Sequence, residues 1–144
     1  MLIFNTEEAR RATEGHGGRV MLLAEELTER ATGLAITVHK HTGPGLLEPV
    51  YEQCLCYELN QAGMPFERQV VIPVVYRGVI VGDGFKADVV VDRQLILEIK
   101  AVATILPAHE AQLNTYLRMS GIHIGLLLNF NAPCLVDGLR RRVL

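Results

Sequence analysis

The hydrophobic pattern of this chain changes its period once, and this change restricts the fold more than any other feature. From Met21 to His41, apolar residues recur every three or four positions, which is the spacing of one face of an α-helix. Gly43-Pro44-Gly45 ends this helix, because proline cannot continue its hydrogen-bond ladder, and a second helix is predicted from about Glu48 to Gln61. Segments rich in Val and Ile, typical of strands, then follow. The pattern predicts an α/β domain.

The rest of the chain is predicted to hold the sheet. A first strand, Phe66 to Tyr76, contains Pro73, which favours an edge strand or a bulge. A short strand from Val79 to Val81, an irregular link, and a hairpin of Phe85 to Val91 with Leu95 to Lys100 come next. The remaining predictions are a third helix, an apolar strand inside the sheet and a short final strand, over Ala108–Ser120, His123–Phe130 and Val136–Leu144 respectively.

Size and composition limit the classes of protein to consider. A chain of 144 residues suits one domain, and 49 % hydrophobic with 21 % charged residues is ordinary globular composition, which argues against wholesale disorder. The formal net charge of -2 does not mark a nucleic-acid binder, and only Arg140, Arg141 and Arg142 form a tight basic cluster. No apolar run reaches the roughly 20 residues that cross a bilayer, so no membrane partner is predicted.

The cysteines and the N-terminal residues predict a cytoplasmic protein. Cys54, Cys56 and Cys134 are odd in number and lack a C-x-x-C spacing, which argues against a disulfide framework and against a zinc site. Cys54 and Cys56 lie in an apolar stretch and are predicted to be buried free thiols in a reducing compartment. Glu7 and Glu8 follow the first apolar residues too soon for a secretory signal.

The hairpin carries the strongest chemical pattern. Glu98 and Lys100 are two positions apart on a strand and therefore share a face. If the connecting loop has three residues, Asp88 lies across from Glu98 on that face, whereas a two-residue loop would place Glu98 on the other face. Two facing carboxylates repel each other unless a divalent cation binds both, and Lys100 could then orient a water nucleophile or offset charge on a phosphate. An ion-pair cluster on a solvated face fits the hairpin pattern equally well.

Two further segments supply polar side chains. On the third helix, His109, Gln112 and Tyr116 are three and four positions apart and form one polar-aromatic face, where a solvated surface more often carries Lys and Glu. Glu48 stands at the start of the second helix, where the helix dipole favours an anion, within the G-x-x-E-x-x-Y spacing of Gly45 to Tyr51. A solvated helix surface and a helix-start carboxylate are the respective structural alternatives.

Five motifs follow one another in an order that resembles a known family. They are the segments Gly45–Tyr51, Gly84–Asp88, Glu98–Ala101, His109–Leu117 and Gly125–Phe130. Together they resemble the GxxExxY proteins, a branch of the PD-(D/E)XK nuclease-like superfamily, over about residues 25 to 144. One position departs from the superfamily pattern, since Ala87 stands where a proline precedes the first aspartate.

The resemblance implies a fold, a domain and a set of roles. The fold is a restriction-endonuclease-like core with a mixed four-stranded sheet flanked by helices, in the order α-α-β-β-β-α-β. The domain is predicted over residues 21–144, after an N-terminal extension of residues 1–20. The resemblance implies that Glu48, Asp88 and Glu98 bind the metal and that Lys100 is the catalytic lysine. It also implies that the helix with Gln112 and Tyr116 faces the active site, as in the Q-x-x-x-Y feature of RecB-type nucleases.

Two functions remain open from the sequence. The first is a Mg²⁺- or Mn²⁺-dependent phosphodiesterase that hydrolyses DNA or RNA with metal-activated water. The second is a non-catalytic nucleic-acid-binding or assembly module that retains the nuclease fold. The complete set of expected site residues favours the first, and the acidic balance favours the second, because phosphate binding relies on Lys and Arg. A domain of this size has a small cleft, so a homodimer or a protein partner is a further expectation.

Overall fold

The helices and strands of the protein follow the predicted order. The computed structural model describes residues 17–144, with side chains from residue 24 onward. The predicted N-terminal extension, residues 1–20, therefore lies largely outside the described residues. The helices α1, α2 and α3 span Gly17–Thr42, Glu48–Gln61 and Pro107–Ser120, the strands β1 to β5 span Phe66–Tyr76, Val79–Val91, Leu95–Lys100, Ile124–Asn129 and Leu139–Val143, and a short 3-10 helix spans Leu135–Gly138.

The five strands form one mixed sheet in the order β1-β2-β3-β4-β5. Neighbouring strands are antiparallel except β3 and β4, which are parallel because α3 forms the crossover connection between them. The predicted α/β class, the mixed sheet and the order α-α-β-β-β-α-β are confirmed. The sheet has five strands rather than the four that the resemblance implied, because β5 pairs with β4 at the place predicted for the final short strand.

The region predicted as a short strand and an irregular link belongs to one long strand. β2 runs from Val79 to Val91, so the prediction of a separate strand ending at Val81 is wrong. The extra residues of β2 form a bulge opposite Pro73, where the register of β1 and β2 shifts. Proline has no N–H to donate, so a regular ladder cannot continue through it. Gly84 is needed at this bulge, since a Cβ atom there would lie 2.6 Å from the carbonyl oxygen of Ile72.

Tyr51 fixes the turn between α1 and α2, and thereby the position of Glu48. Its hydroxyl donates to the Gly43 carbonyl oxygen at 2.7 Å and accepts from the Leu46 amide at 3.1 Å. Its buried ring stacks on Phe130, which follows β4, with the ring centroids 4.6 Å apart. The last residue of the G-x-x-E-x-x-Y spacing is therefore structural, because it holds the turn that places Glu48 at the start of α2.

Hydrophobic layers cover both faces of the sheet. α1 and α2 cover one face, where Val89 and Leu97 belong to the buried cluster, and α3 covers the other, where Val90 and Ile96 are buried. Successive residues of β2 and β3 thus reach different layers, as the pleat of a strand requires. β4 is buried along its whole length, which agrees with its predicted place inside the sheet.

The longest helix, α1, is amphipathic over its described side chains. Ala31, Ala35 and Val38 are buried, whereas Glu26 and Glu29 are exposed. The helix therefore lies on the sheet with one face in contact with solvent. Among the helices of residues 17–144, none is both long enough and apolar enough to cross a membrane.

The three cysteines differ in burial, and alkylation can measure this difference. All three are free; Cys56 is buried as predicted, Cys54 is only partly buried, and Cys134 is exposed. Burial raises the pKa of the Cys56 thiol to about 11. Because the thiolate is the reactive form, we expect iodoacetamide at about pH 8 to label Cys134 long before Cys56. Peptide mass spectrometry measures both rates, and equal labelling would contradict the packing of α2.

Candidate active site

Strands β2 and β3 separate at one end, and two carboxylates occupy the split. The pairing runs from Val91–Leu95 to Val89–Leu97, which confirms the register expected for a three-residue loop. Beyond the last pair, the Asp88 amide donates to Glu98 Oε1 at 3.0 Å, and the Ile99 amide donates to Asp88 Oδ2 at 2.8 Å. The strand pairing therefore ends just before Asp88 and Glu98, where the sequence predicted two opposed carboxylates. Instead of a further ladder pair, each carboxylate accepts a main-chain amide of the neighbouring strand.

A change of face in β1 and β2 accompanies the split. Val89 packs in the α1/α2 layer, whereas Ala87, two residues earlier, packs in the α3 layer with Val70 of β1. Residues two apart on a regular strand share a face, so β2 turns over at Asp88. Gln69 lies beside Asp88 on β1 and has a φ of 50°. Strict alternation, on which the sequence prediction relied, does not hold at this point.

Helix α2 brings a third carboxylate to the split. Glu48 Oε1 accepts from the Ala101 amide, just after β3, at 3.1 Å. Glu48 and Asp88 line one cleft of about 370 Å³, whose other lining residues include Glu52, Gln69 and Ile99. The break between α1 and α2 thus places the N-terminus of α2 beside the split end of the β2–β3 hairpin.

Burial raises the pKa of both members of the carboxylate pair. Glu98 is 4 % exposed, and burial together with the nearby Asp88 charge raises its pKa to about 8. The hydrogen bond from the Asp88 amide and the Lys100 charge oppose this rise without cancelling it. Burial also raises the pKa of Asp88, although the hydrogen bond from Ile99 opposes it. A bound cation would favour the charged form of both groups.

Lys100 ends β3 two residues after Glu98. Its charge lowers the pKa of both Glu98 and Asp88. The side chain is half-buried, and no described residue forms a hydrogen bond or a close ion pair with its ammonium. Its three N–H donors are therefore available to a bound molecule.

Tyr116 of α3 reaches the carboxylates from the other side of the sheet. The residue is 4 % exposed, and its ring centroid lies 5.1 Å from that of Phe85. Burial, together with the charges of Glu98 and Asp88, raises the pKa of its hydroxyl to about 12.

The other two polar residues of that helix face have different positions. Gln112 is half-buried, one helical turn before Tyr116, and no hydrogen bond joins it to the carboxylates. His109 accepts a hydrogen bond from the Leu106 amide at 3.0 Å through Nδ1 and so caps the start of α3. Of the residues on this face, Tyr116 is the one whose pKa the two carboxylates influence, and His109 serves as a helix cap.

Sequence reasoning missed a polar network beside the cleft. Glu52 of α2 is 6 % exposed and accepts from Arg68 of β1 at 2.6 Å and from Gln69 at 2.7 Å. The Gln69 nitrogen also lies 3.4 Å from Asp88 Oδ1. Because Glu52 is four residues after Glu48, the helical period alone would have placed both on one face of α2.

The C-terminal arginines do not form a free basic patch. Arg141 pairs with Glu25 of α1, and Arg142 pairs with Glu110 of α3 at 2.8 Å. Arg140 donates to two main-chain carbonyl oxygens at the start of β5. A phosphate backbone would have to compete with these interactions, so the only tight basic cluster of the sequence serves the fold.

The donor set fits a divalent cation of the Mg²⁺ type. Such ions bind hard oxygen ligands, often one or two carboxylates together with several waters. Glu48, Asp88 and Glu98 each use one oxygen to accept a backbone amide, and the second oxygen of Asp88 has only a long contact of 3.4 Å, with the Gln69 nitrogen. Within residues 17–144, no three Asp, Glu, His or Cys side chains converge closely enough to enclose an ion. The arrangement suits an ion held by few carboxylates and water rather than a closed protein cage.

The fold and the carboxylate–lysine centre define a small α/β domain with an acidic site at the split of two strands. The family model of the PD-(D/E)XK nuclease superfamily matches residues 25–142, and the chain belongs to this superfamily. The match extends from within α1 to β5 and so includes every residue predicted for the site. Neither the curated proteins nor the solved structures gave a match.

Proposed function

We propose that this domain is a divalent-metal-dependent nuclease that hydrolyses phosphodiester bonds of DNA or RNA. The observation that carries the proposal is the split between β2 and β3, which brings Asp88 and Glu98 together near the end of β3, where Lys100 lies. The Lys100 ammonium has no hydrogen-bond partner among the described residues. Membership of the nuclease superfamily supports the reaction class. The G-x-x-E-x-x-Y spacing around Glu48 supports placement in the GxxExxY branch of that superfamily.

Each residue of the site has a proposed role in such a reaction. Mg²⁺ or Mn²⁺, when bound, would supply Lewis-acid activation of the phosphate and of the attacking water. Asp88, Glu98 and Glu48 are proposed to hold the ion, in part through bound water because the three do not enclose a site, and ion binding would compete with the proton that the raised pKa of Glu98 favours. The Lys100 ammonium orients the attacking water or offsets charge on the phosphate oxygens as the leaving oxygen departs. Tyr116, and Gln112 one turn earlier, are proposed to face the substrate from α3.

A second candidate is a nucleic-acid-binding or assembly module without turnover. Two observations favour it: the C-terminal arginines are engaged, and three carboxylates line the cleft where a phosphate would have to bind. Single- and double-stranded DNA and RNA, each incubated with Mg²⁺, Mn²⁺ or EDTA, separate the two candidates. Metal-dependent cleavage that the Lys100→Ala variant lacks supports the nuclease, whereas binding without cleavage under every condition supports the module.

Two expectations about context stay predictions. The cytoplasmic location rests on the cysteine pattern and on the N-terminal residues of the sequence. The homodimer or protein partner rests on the small size of the domain, and sedimentation velocity at several protein concentrations, with and without nucleic acid, would measure it. A monomer that cleaves at full rate would remove the need for a partner.

Mn²⁺ is expected to raise the melting temperature of the wild-type protein and to leave Asp88→Asn unchanged. A ligand at 100 times its Kd stabilises the folded state by about 2.7 kcal/mol, which corresponds to roughly 5–10 °C for a domain of this size. The asparagine keeps the shape of the side chain but loses the charge that holds the ion. Thermal melts with EDTA and with Mn²⁺ measure the shift. Asp83→Asn, an exposed aspartate on the same strand, is the matched control. An equal shift in both variants would show non-specific binding.

A further inference from the structure

Gln69 of β1 has a backbone conformation that strand residues rarely adopt. Its φ is 50°, in the left-handed region, where residues other than glycine are uncommon. On a regular strand, Arg68 and Gln69 would point to opposite faces, but here both side chains reach Glu52 of α2. Such a conformation costs free energy and persists only where the surrounding contacts hold it.

The Gln69 amide bridges two carboxylates. Its nitrogen lies 2.7 Å from Glu52 Oε1 and 3.4 Å from Asp88 Oδ1. Glu52 is buried, and Arg68 holds its other oxygen at 2.6 Å, so Glu52 is a fixed anchor for the amide. The second oxygen of Asp88 accepts from the Ile99 amide at 2.8 Å. Asp88 is therefore held from both sides, by the main chain of β3 and by the side chain of Gln69.

We infer that Gln69 is a positioning residue, which keeps the Asp88 carboxylate against the Ile99 amide with Oδ1 turned toward the cleft. Glu52 and Arg68 anchor the Gln69 amide and thus connect α2 and β1 to the centre. The consequence for metal binding rests on the proposed function, whereas the consequence for the Asp88–Ile99 hydrogen bond does not. Outer partners of this kind orient the groups that bind a metal and influence its affinity.

A purely structural reading of Gln69 makes a different prediction. In that case, the residue only allows the strand to change the face toward which its side chains point. Any residue that tolerates the positive φ would then fold as well as glutamine does. Gln69 is exposed, so the packing of the core does not require its side chain. Glycine adopts this φ without steric cost and has no amide group, so Gln69→Gly separates the two roles.

The experiment compares Gln69→Gly with Arg77→Gly in the full chain. Arg77 has a φ of 49° in the exposed β1–β2 turn, so its replacement has the same backbone effect away from the network. In metal-free protein, Gln69→Gly is expected to speed hydrogen exchange of the Ile99 amide several-fold relative to exchange of the Val90 amide, which reports the stability of the rest of the β2–β3 pair. With Mn²⁺ as the probe, the Kd is expected to rise roughly tenfold. Arg77→Gly is expected to change neither quantity.

Each outcome decides one part of the inference. Unchanged Ile99 exchange in Gln69→Gly overturns the positioning role, whatever the metal data show. Faster Ile99 exchange with a wild type that binds no Mn²⁺ supports the positioning role and counts against the proposed function. If the glycine variant folds poorly, Gln69→Asn replaces it, because asparagine tolerates positive φ and its amide, one methylene shorter, cannot bridge both carboxylates. Wild-type Ile99 exchange in that variant would equally overturn the inference.

Discussion

Replacing Lys100 with alanine is expected to lower metal-dependent cleavage by roughly 10²–10³-fold and to leave the fold and Mn²⁺ binding intact. The ammonium makes no hydrogen bond to the described part of the protein, and the stem is only half-buried, so little packing is lost. Cleavage loses the donor that orients water or offsets charge on the phosphate. Mn²⁺ binding is expected to be equal or tighter, because a positive charge beside the ligands is gone. Urea unfolding, Mn²⁺ titration and cleavage rates measure the three quantities.

The opposite result would identify Lys100 as a structural residue. In that case its loss leaves the buried carboxylates without a counter-charge and destabilises the domain by about 3–5 kcal/mol. Lys100→Met keeps most of the aliphatic stem and removes the charge, so it separates packing from electrostatics. Lys40→Ala, on the exposed side of α1, controls for the loss of one positive charge. A poorly folded Lys100→Met variant and a wild type that never cleaves would show that these residues hold the domain together without catalysis.

Much of the fold could be predicted because local signals mark its boundaries. α2 occupies the predicted residues, Glu48–Gln61, since Pro49 suits the first turn of a helix and Gly63 follows its end. The β2–β3 register is the one that a three-residue loop requires, which was one of the two loop lengths that the sequence left open. The continuation of β2 through residues 82–84 could not be predicted in this way, because the bulge depends on pairing with β1 around Pro73. Local residue preferences carry no information about such a long-range partner.

The candidate site was predictable where its residues are close in sequence. Asp88, Glu98 and Lys100 belong to one hairpin, so the loop length and the pleat bring them together. The closeness of Tyr116 to this centre depends on the packing of α3 on the sheet, and only the family resemblance indicated it. The sequence did not predict the change of face of β2 at Asp88. There, both carboxylates accept main-chain amides in place of a regular ladder of backbone hydrogen bonds.

The network that the sequence did not reveal depends on tertiary contacts. The helical period could have placed Glu52 on the same face of α2 as Glu48, but its burial requires Arg68 to approach from β1. The positive φ of Gln69 has no sequence signal, since only glycine, and less often asparagine or aspartate, indicates such a conformation in advance. These contacts connect residues 16 and 17 positions apart on two different elements.

The metal-free protein is expected to lose stability as the pH rises from about 4.5 to about 8, the ordinary and the folded pKa of Glu98. Between these values the folded protein keeps a proton that the unfolded chain has released, so the free energy of unfolding falls as the pH increases. Each unit of difference corresponds to about 1.4 kcal/mol, and the whole loss amounts to a few kcal/mol. Mn²⁺ is expected to reverse most of it at the upper end, because the ion binds the charged pair. Urea unfolding across this range, with EDTA and with Mn²⁺, measures both effects.

Glu98→Gln is the matched variant for this prediction. Its side-chain oxygen can accept from the Asp88 amide as Glu98 Oε1 does, but the group has no proton to lose. We expect a flatter pH profile, a higher free energy of unfolding than the wild type at about pH 8 without metal, and no response to Mn²⁺. Any pH dependence of the free energy of unfolding that remains in this variant would come from Asp88, whose pKa is also raised. If the wild type and Glu98→Gln have the same profile, burial does not hold a proton on Glu98, and the carboxylate is charged before any ion arrives.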